Sequence, residues 1–178
     1  MIEILPSNLR FDQLHTEVTN FLGKNDFWEK PQVSLTSVTG ENDWFCSVGK
    51  IEHLQYPERA YSVINKELQG TYIAEVINEY SKFYRWRLLN LQQGSHYSVH
   101  SDNMVPSKKN KRIHIPIVTN DQAFFCYYND KPANGVKTEV EFHVLQPGTV
   151  YEIDTSRLHS AINYSEETRV HLVGVRYE

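Results

Sequence analysis

The hydrophobic period of the chain changes near residue 84, and the change divides it into two differently built regions. In the first, Tyr72, Ile73, Val76, Ile77 and Tyr80 recur at helical spacing and predict an amphipathic helix over 71–83. A second helix is expected over 9–21, capped by Ser7 or Asn8, after a short apolar strand at 2–5. Between the helices Gly23, Pro31, Gly40, Gly49 and Pro57 break every pattern, so loops and a strand or two are expected.

From Tyr84 onward the period is two. Strand-like runs occupy 84–91, 97–100, 111–119, 124–128, 139–145, 149–153, 158–163 and 168–177. Gln93-Gly94, Asn134-Gly135 and Pro147-Gly148 are the clearest turn signals between them. Consecutive strands without intervening helices argue for an antiparallel sandwich or barrel rather than a parallel sheet. The expected fold class is therefore mainly β (α+β): a double-sheet core over 84–178, with a mixed helical support region over 1–83 whose helices pack on one sheet.

At 178 residues the chain fits one domain, and 40% hydrophobic with 12% aromatic residues supplies a core rather than a disordered chain. A chain of this size hides about 70% of its unfolded surface. Eighteen Lys and Arg against 22 acids give a net charge of −4, so no general cationic field attracts nucleic acid or an anionic membrane. The cluster Lys108, Lys109, Lys111 and Arg112 reads as a solvated loop. No window approaches the roughly 18–20 apolar residues of a membrane span, and the first residues lack the pattern of a secretion signal. A cytoplasmic protein is expected. Cys46 and Cys126, with no CxxC pair, predict reduced thiols rather than a disulfide framework or a zinc site.

The candidate chemistry begins at Tyr97-Ser-Val-His-Ser-Asp102, followed by Leu158-His-Ser-Ala-Ile-Asn163 and Thr168-Arg-Val-His171. A His-x-acid pair alone says little: 8 His and 22 acids in 178 positions give 8 × 22/178, about 1 by chance. The chain has two. His15-Thr-Glu17 lies in an expected helix, where i and i+2 diverge, whereas His100 and Asp102 lie in an expected strand and share a face. With His159 they would offer two imidazoles and one carboxylate, the facial arrangement of non-haem Fe(II) oxygenases, and leave positions for a bidentate 2-oxo acid and O₂. Arg169, on the strand after His159, can pair its planar fork with a distal carboxylate, which predicts a dicarboxylate co-substrate.

These segments resemble the aspartyl/asparaginyl β-hydroxylase-like Fe(II)- and 2-oxoglutarate-dependent oxygenases. The resemblance runs through Arg87-Leu-Leu-Asn-Leu, Gly94, the His100-Ser-Asp102 segment, Arg112-Ile-His-Ile-Pro-Ile-Val-Thr-Asn120, Leu145-Gln-Pro-Gly148, Tyr151, His159-Ser-Ala-Ile-Asn163 and Arg169-Val-His171-Leu. It implies a double-stranded β-helix (jelly-roll, cupin-like) fold. It further implies that His100, Asp102 and His159 hold Fe(II), that Arg169 binds the distal carboxylate of 2-oxoglutarate with His114 as its helper, and that O₂ is consumed with release of succinate and CO₂. Arg112, Tyr97 and Arg87 are the candidate substrate contacts. The vertebrate peptide hydroxylases of the family lack the carboxylate ligand, so Asp102 aligns this chain with the bacterial members, and it argues against halogenation. The implied substrate is an amino-acid side chain, free or in a peptide or protein. Without the C-terminal helical extension of the bacterial proline hydroxylases, a lid is expected from the N-terminal half or from 101–110.

Several residues carry plainer expectations. Trp86, Tyr84 and Leu88 are expected in the core, and His15, His53 and His143 in structural or exposed positions; Arg85 shares with Arg87 the strand face opposite Trp86, which could point into the barrel although the surface is the commoner fate, and His96 would border the pocket mouth. His171 divides evenly between core and pocket. The alternative function is a non-catalytic cupin-like module that binds a metal or small acid, distinguished by the absence of oxygen-dependent succinate formation.

Overall fold

The computed structural model describes residues 1–102, 109–130 and 138–177. In chain order the elements are β1 (Ile2–Ile4), α1 (Phe11–Lys24), β2 (Gln32–Ser34), β3 (Thr36–Ser37), β4 (Val63–Ile64), α2 (Tyr72–Glu79), β5 (Tyr84–Leu91), β6 (Asn110–Val118), β7 (Ala123–Tyr128), β8 (Val140–Val144), β9 (Tyr151–Asp154), β10 (His159–Asn163) and β11 (Arg169–Tyr177). Short 3-10 turns lie between β3 and α2. A six-stranded sheet has the order β1-β9-β6-β11-β5-β2, and a three-stranded sheet the order β10-β7-β8. Every pairing is antiparallel, as the absence of crossover helices requires. Neither sheet closes on itself.

Alternation along the central strands separates two environments. Ile113, Ile115 and Ile117 of β6, Leu88 and Trp86 of β5, and Val170 and Leu172 of β11 form one core with Leu14, Val18, Phe21 and Leu22 of α1 and Ile73, Val76 and Ile77 of α2. The helices thus cover one face of the large sheet, as expected. Arg112 and His114 occupy the intervening β6 positions, and Arg87 and Arg169 those of β5 and β11. On that second face Phe125 and Tyr127 of β7 pack with Tyr151 and Ile153 of β9, which joins the small sheet to the large one.

Two irregularities shape the polar face. Pro116 sits inside β6, where it cannot donate a ladder bond; there β9 has already ended its pairing and the register with β11 slips between Val170 and His171. In β5 the register with β11 slips between Val173 and Val175, and Arg85 adopts φ 52° within this bulge. Gly174, opposite, leaves room for the indole: an added Cβ would lie 2.9 Å from Trp86 Cε2 and 3.0 Å from Phe83 Cβ. Gly174→Ala is therefore expected to cost ~1–3 kcal/mol by overpacking, read as a lower midpoint in thermal unfolding.

Three elements need correction. No side chain caps α1, which starts at Phe11 rather than Leu9; the Arg10 amide instead donates to Tyr72 Oη at 2.8 Å. The second helix ends at Glu79 because Tyr80 leaves helical geometry at ψ 45°, while Thr71 Oγ1 caps its start by accepting from the Ala74 amide at 3.3 Å. The 97–100 run is not a strand: it makes only isolated bridges to β10 at His96 and His100, with the Tyr97 amide donating across to Ala161 O at 2.9 Å. The Asn134-Gly135 turn and most of the 101–110 segment lie outside the described residues.

Candidate active site

The polar face of the large sheet and the inner face of the small sheet enclose a cavity of about 450 Å³. His100, Asp102, His159, Arg169, His114, Arg112, Tyr97 and Arg87, the eight candidates read from sequence, all line it. At its centre one ligand atom each of His100, Asp102 and His159 lies within 4.8 Å of the others. His159 comes from β10 and pairs with His100 through two backbone bonds, His100 N to His159 O at 3.0 Å and the reverse at 2.8 Å. Asp102 is set by its amide, which donates to Thr155 O at 2.9 Å. His100 and Asp102 therefore converge although their segment is not a regular strand.

Each imidazole is oriented by the carbonyl two residues before it. His100 Nδ1 donates to Ser98 O at 2.7 Å and His159 Nδ1 to Arg157 O at 2.8 Å. A carbonyl can only accept, so the proton sits on Nδ1 and the Nε2 lone pair remains available, the tautomer a metal ligand needs. The Nε2 atoms lie 3.5 and 3.8 Å from the two Asp102 oxygens. Burial alone would raise the Asp102 carboxyl. The Arg112 guanidinium, 2.7 Å away, and the two histidines outweigh it and hold the group well below the usual carboxylate range. Burial pushes His159 down to about 4, with His100 and Arg112 acting in the same direction and Asp102 against them. His100 is pushed the other way, upward, chiefly by its contact with Asp102. Two imidazoles and an ionised carboxylate on one side of a cavity suit non-haem Fe(II).

A second polar group lies beside the first. Arg169 is 4% exposed, and burial pushes it down to about 10, still charged at neutral pH. Its guanidinium lies 3.0 Å from both nitrogens of His171, only one of which can accept when the ring is neutral. Acceptance at Nε2 puts the proton on Nδ1, which faces His114 Nδ1 at 3.4 Å. His114 then carries its proton on Nε2, and this buried donor has no partner among the described residues. Burial first, and then the Arg169 charge, pushes both histidines well down, so both are neutral. Tyr97 Oη is likewise buried without a partner.

A family model described as aspartyl/asparaginyl beta-hydroxylase matches residues 58–175, 118 of the 178. The chain belongs to that family. No curated protein matches the chain significantly. Among solved structures, EvdO2 from Micromonospora carbonacea var. aurantiaca is 14% identical over 99% of this chain and 86% of its own, with a TM-score of 0.57. AviO1 from Streptomyces viridochromogenes Tue57 is 8% identical over 98% and 86%, with a TM-score of 0.53. At such identities the likeness is one of fold. An oxidoreductase of the 2OG-Fe(II) oxygenase family from Burkholderia pseudomallei is 16% identical over 54% of this chain and 43% of its own, with a TM-score of 0.41. The chain thus spans less than half of that relative's length.

Within this family member, several plainer expectations hold and others do not. Trp86 and Leu88 are core, while His53 and His96 are exposed and His15 and His143 lie outside the cavity. His171 is buried and reaches the site through Arg169 and His114. Arg85, for which the surface and the barrel interior were both open, is 1% exposed and points inward like Arg87, where it pairs with buried Glu58 and lines the cavity. Arg112 does more than face a substrate, since it holds the Asp102 carboxylate. Phe125 of β7, Gln32 and the 49–52 segment also line the cavity; Gln32 and 49–52 carried no sequence signal, because their region lacks any periodicity. No helix among the described residues is long and apolar enough to cross a membrane, and Cys46 and Cys126 are free thiols.

Proposed function

We propose that the protein is an Fe(II)- and 2-oxoglutarate-dependent dioxygenase that hydroxylates an amino-acid side chain, free or within a peptide or protein, with release of succinate and CO₂. The observation that carries this reading is the convergence of His100, Asp102 and His159 in a cavity that buried Arg169 also lines. In this reading the whole chain, 1–178, is one domain, and its two sheets are the two halves of a double-stranded β-helix supported by 1–83. A cytoplasmic setting belongs to the same proposal.

His100, Asp102 and His159 would hold Fe(II). When bound, Fe(II) with 2-oxoglutarate and O₂ supplies the oxidation of a C–H bond. The chain does the rest by binding, orienting and excluding water. Arg169 pairs its fork with the distal carboxylate of 2-oxoglutarate. His114, kept neutral by burial, and Tyr97 offer that end of the cavity hydrogen bonds that no described residue uses. Leu89, Phe125 and Ala161 are the apolar walls that keep water from the reacting carbon. Arg87, Arg112 and Tyr97 address the substrate, and the two cations favour a substrate that carries a carboxylate.

Oxygen-dependent succinate release, screened with Fe(II) over free amino acids and then Asp-, Asn- and Pro-containing peptides, tests the proposal. One substrate is expected to raise succinate well above the unstimulated rate. Iron binding without succinate from 2-oxoglutarate under any of these conditions would instead support the non-catalytic binding module.

A further inference from the structure

Within the segment 47–53, Gly49, Lys50, Ile51 and Glu52 form part of the cavity wall, and Gly49 is held from two sides. Arg85 Nη2 donates to Gly49 O at 2.8 Å, and its Nε donates to Ser47 O at 2.9 Å. Arg85 is itself fixed by the buried Glu58, which also accepts from Tyr177 Oη. On the opposite side the Gly49 amide donates to Gln32 Oε1 at 3.1 Å. That same oxygen accepts from Arg87 Nη1 at 2.8 Å. Gln32 thus joins the wall to a cavity arginine through a single atom.

Arg87 is 2% exposed, and its Nε and Nη2 have no hydrogen-bond partner among the described residues. Burial, then the charges of Arg85 and Arg112, disfavour its cation. A buried guanidinium with two free donors, flanked by two further cations, is incomplete until an anion arrives. Its fork fits a carboxylate. Lys50, Ile51 and Glu52, directly after Gly49, line the same cavity.

We propose that 47–53 is a substrate-responsive wall, and that Gln32 is the positioning residue that couples a carboxylate bound at Arg87 to the Gly49 peptide. A carboxylate on the free side of Arg87 fixes the guanidinium. The fixed guanidinium holds Gln32 Oε1 toward Gly49, and the wall with Lys50 and Glu52 closes on the substrate. Lys50 and Glu52 then select what lies beyond the anchored carboxylate. The coupling rests on the substrate reading above, whereas the tether does not.

Hydrogen–deuterium exchange of peptides covering 47–53 separates the two. In the ligand-free protein, Gln32→Leu is expected to speed exchange there about three- to tenfold, the effect of one lost hydrogen bond, with β6 and β11 unchanged. Gln32→Glu retains both acceptor contacts and is expected to exchange no faster than the wild type. With Zn(II) and 2-oxoglutarate present, millimolar L-aspartate is expected to slow exchange of 47–53 in the wild type. It should have no effect in Gln32→Glu, whose own carboxylate neutralises Arg87. Unchanged exchange in Gln32→Leu would overturn the tether. No slowing in the wild type, or equal slowing in Gln32→Glu, would overturn the coupling. Failure of 2-oxoglutarate to protect β11 would sink the oxygenase reading and leave the tether standing. Arg85 is the poorer probe, because its loss strands Glu58 in the interior.

Discussion

Replacing Asp102 with Ala is expected to abolish succinate formation and to weaken Fe(II) binding by at least about 100-fold. The carboxylate is the only anionic donor of the His–Asp–His group, and it is ionised at any working pH because Arg112 and the two histidines face it. Removing it leaves two neutral imidazoles for a divalent cation and puts Arg112 beside the empty position, so attraction gives way to repulsion. Asp102→Asn separates charge from size. It keeps the shape of the site and is expected to lose iron almost as completely, which equilibrium dialysis of both variants would show. Retained iron affinity in Asp102→Ala would mean that the three residues do not form the metal centre.

The second large effect is expected at Arg169. Arg169→Leu removes a buried cation from a site that otherwise holds the neutral rings of His114 and His171. Truncating one partner of a buried charge pair costs ~2–5 kcal/mol, so affinity for 2-oxoglutarate should fall by about 30- to several-thousandfold. Fe(II) affinity should change little. Arg169→Lys is expected to restore only part of the loss, since an ammonium cannot reproduce a bidentate contact. Isothermal titration with the metal-loaded protein reads both variants, and an unchanged affinity would show that the dicarboxylate binds elsewhere.

The sequence was most legible where period, residue type and spacing agreed. The strands corresponding to β5, β6 and β11 follow from alternation alone, because one face packs under the helices and the other carries Arg87, Arg112, His114 and Arg169. The convergence of His100 with Asp102 was also legible, though through a strand that does not exist. Backbone bonds of His100 to His159 and of Asp102 to Thr155 produce it instead. For Arg85 alternation left two fates open, the surface or the barrel interior on the face it shares with Arg87, and the buried Glu58 that pairs with it across the fold, which carries no local pattern, decides for the interior. Gln32 and 49–52 were invisible for a different reason. Their role depends on hydrogen bonds to Arg85 and Arg87, formed across tens of residues by side chains with no local pattern.

The most direct test of the central proposal is anaerobic titration of the metal-free protein with Fe(II) and 2-oxoglutarate, followed by the weak visible charge-transfer band of a chelated 2-oxo acid. The band is expected in the wild type, absent in His159→Ala and weakened in Arg169→Ala. No band in the wild type, with iron bound no more tightly than by His159→Ala, would contradict the oxygenase site.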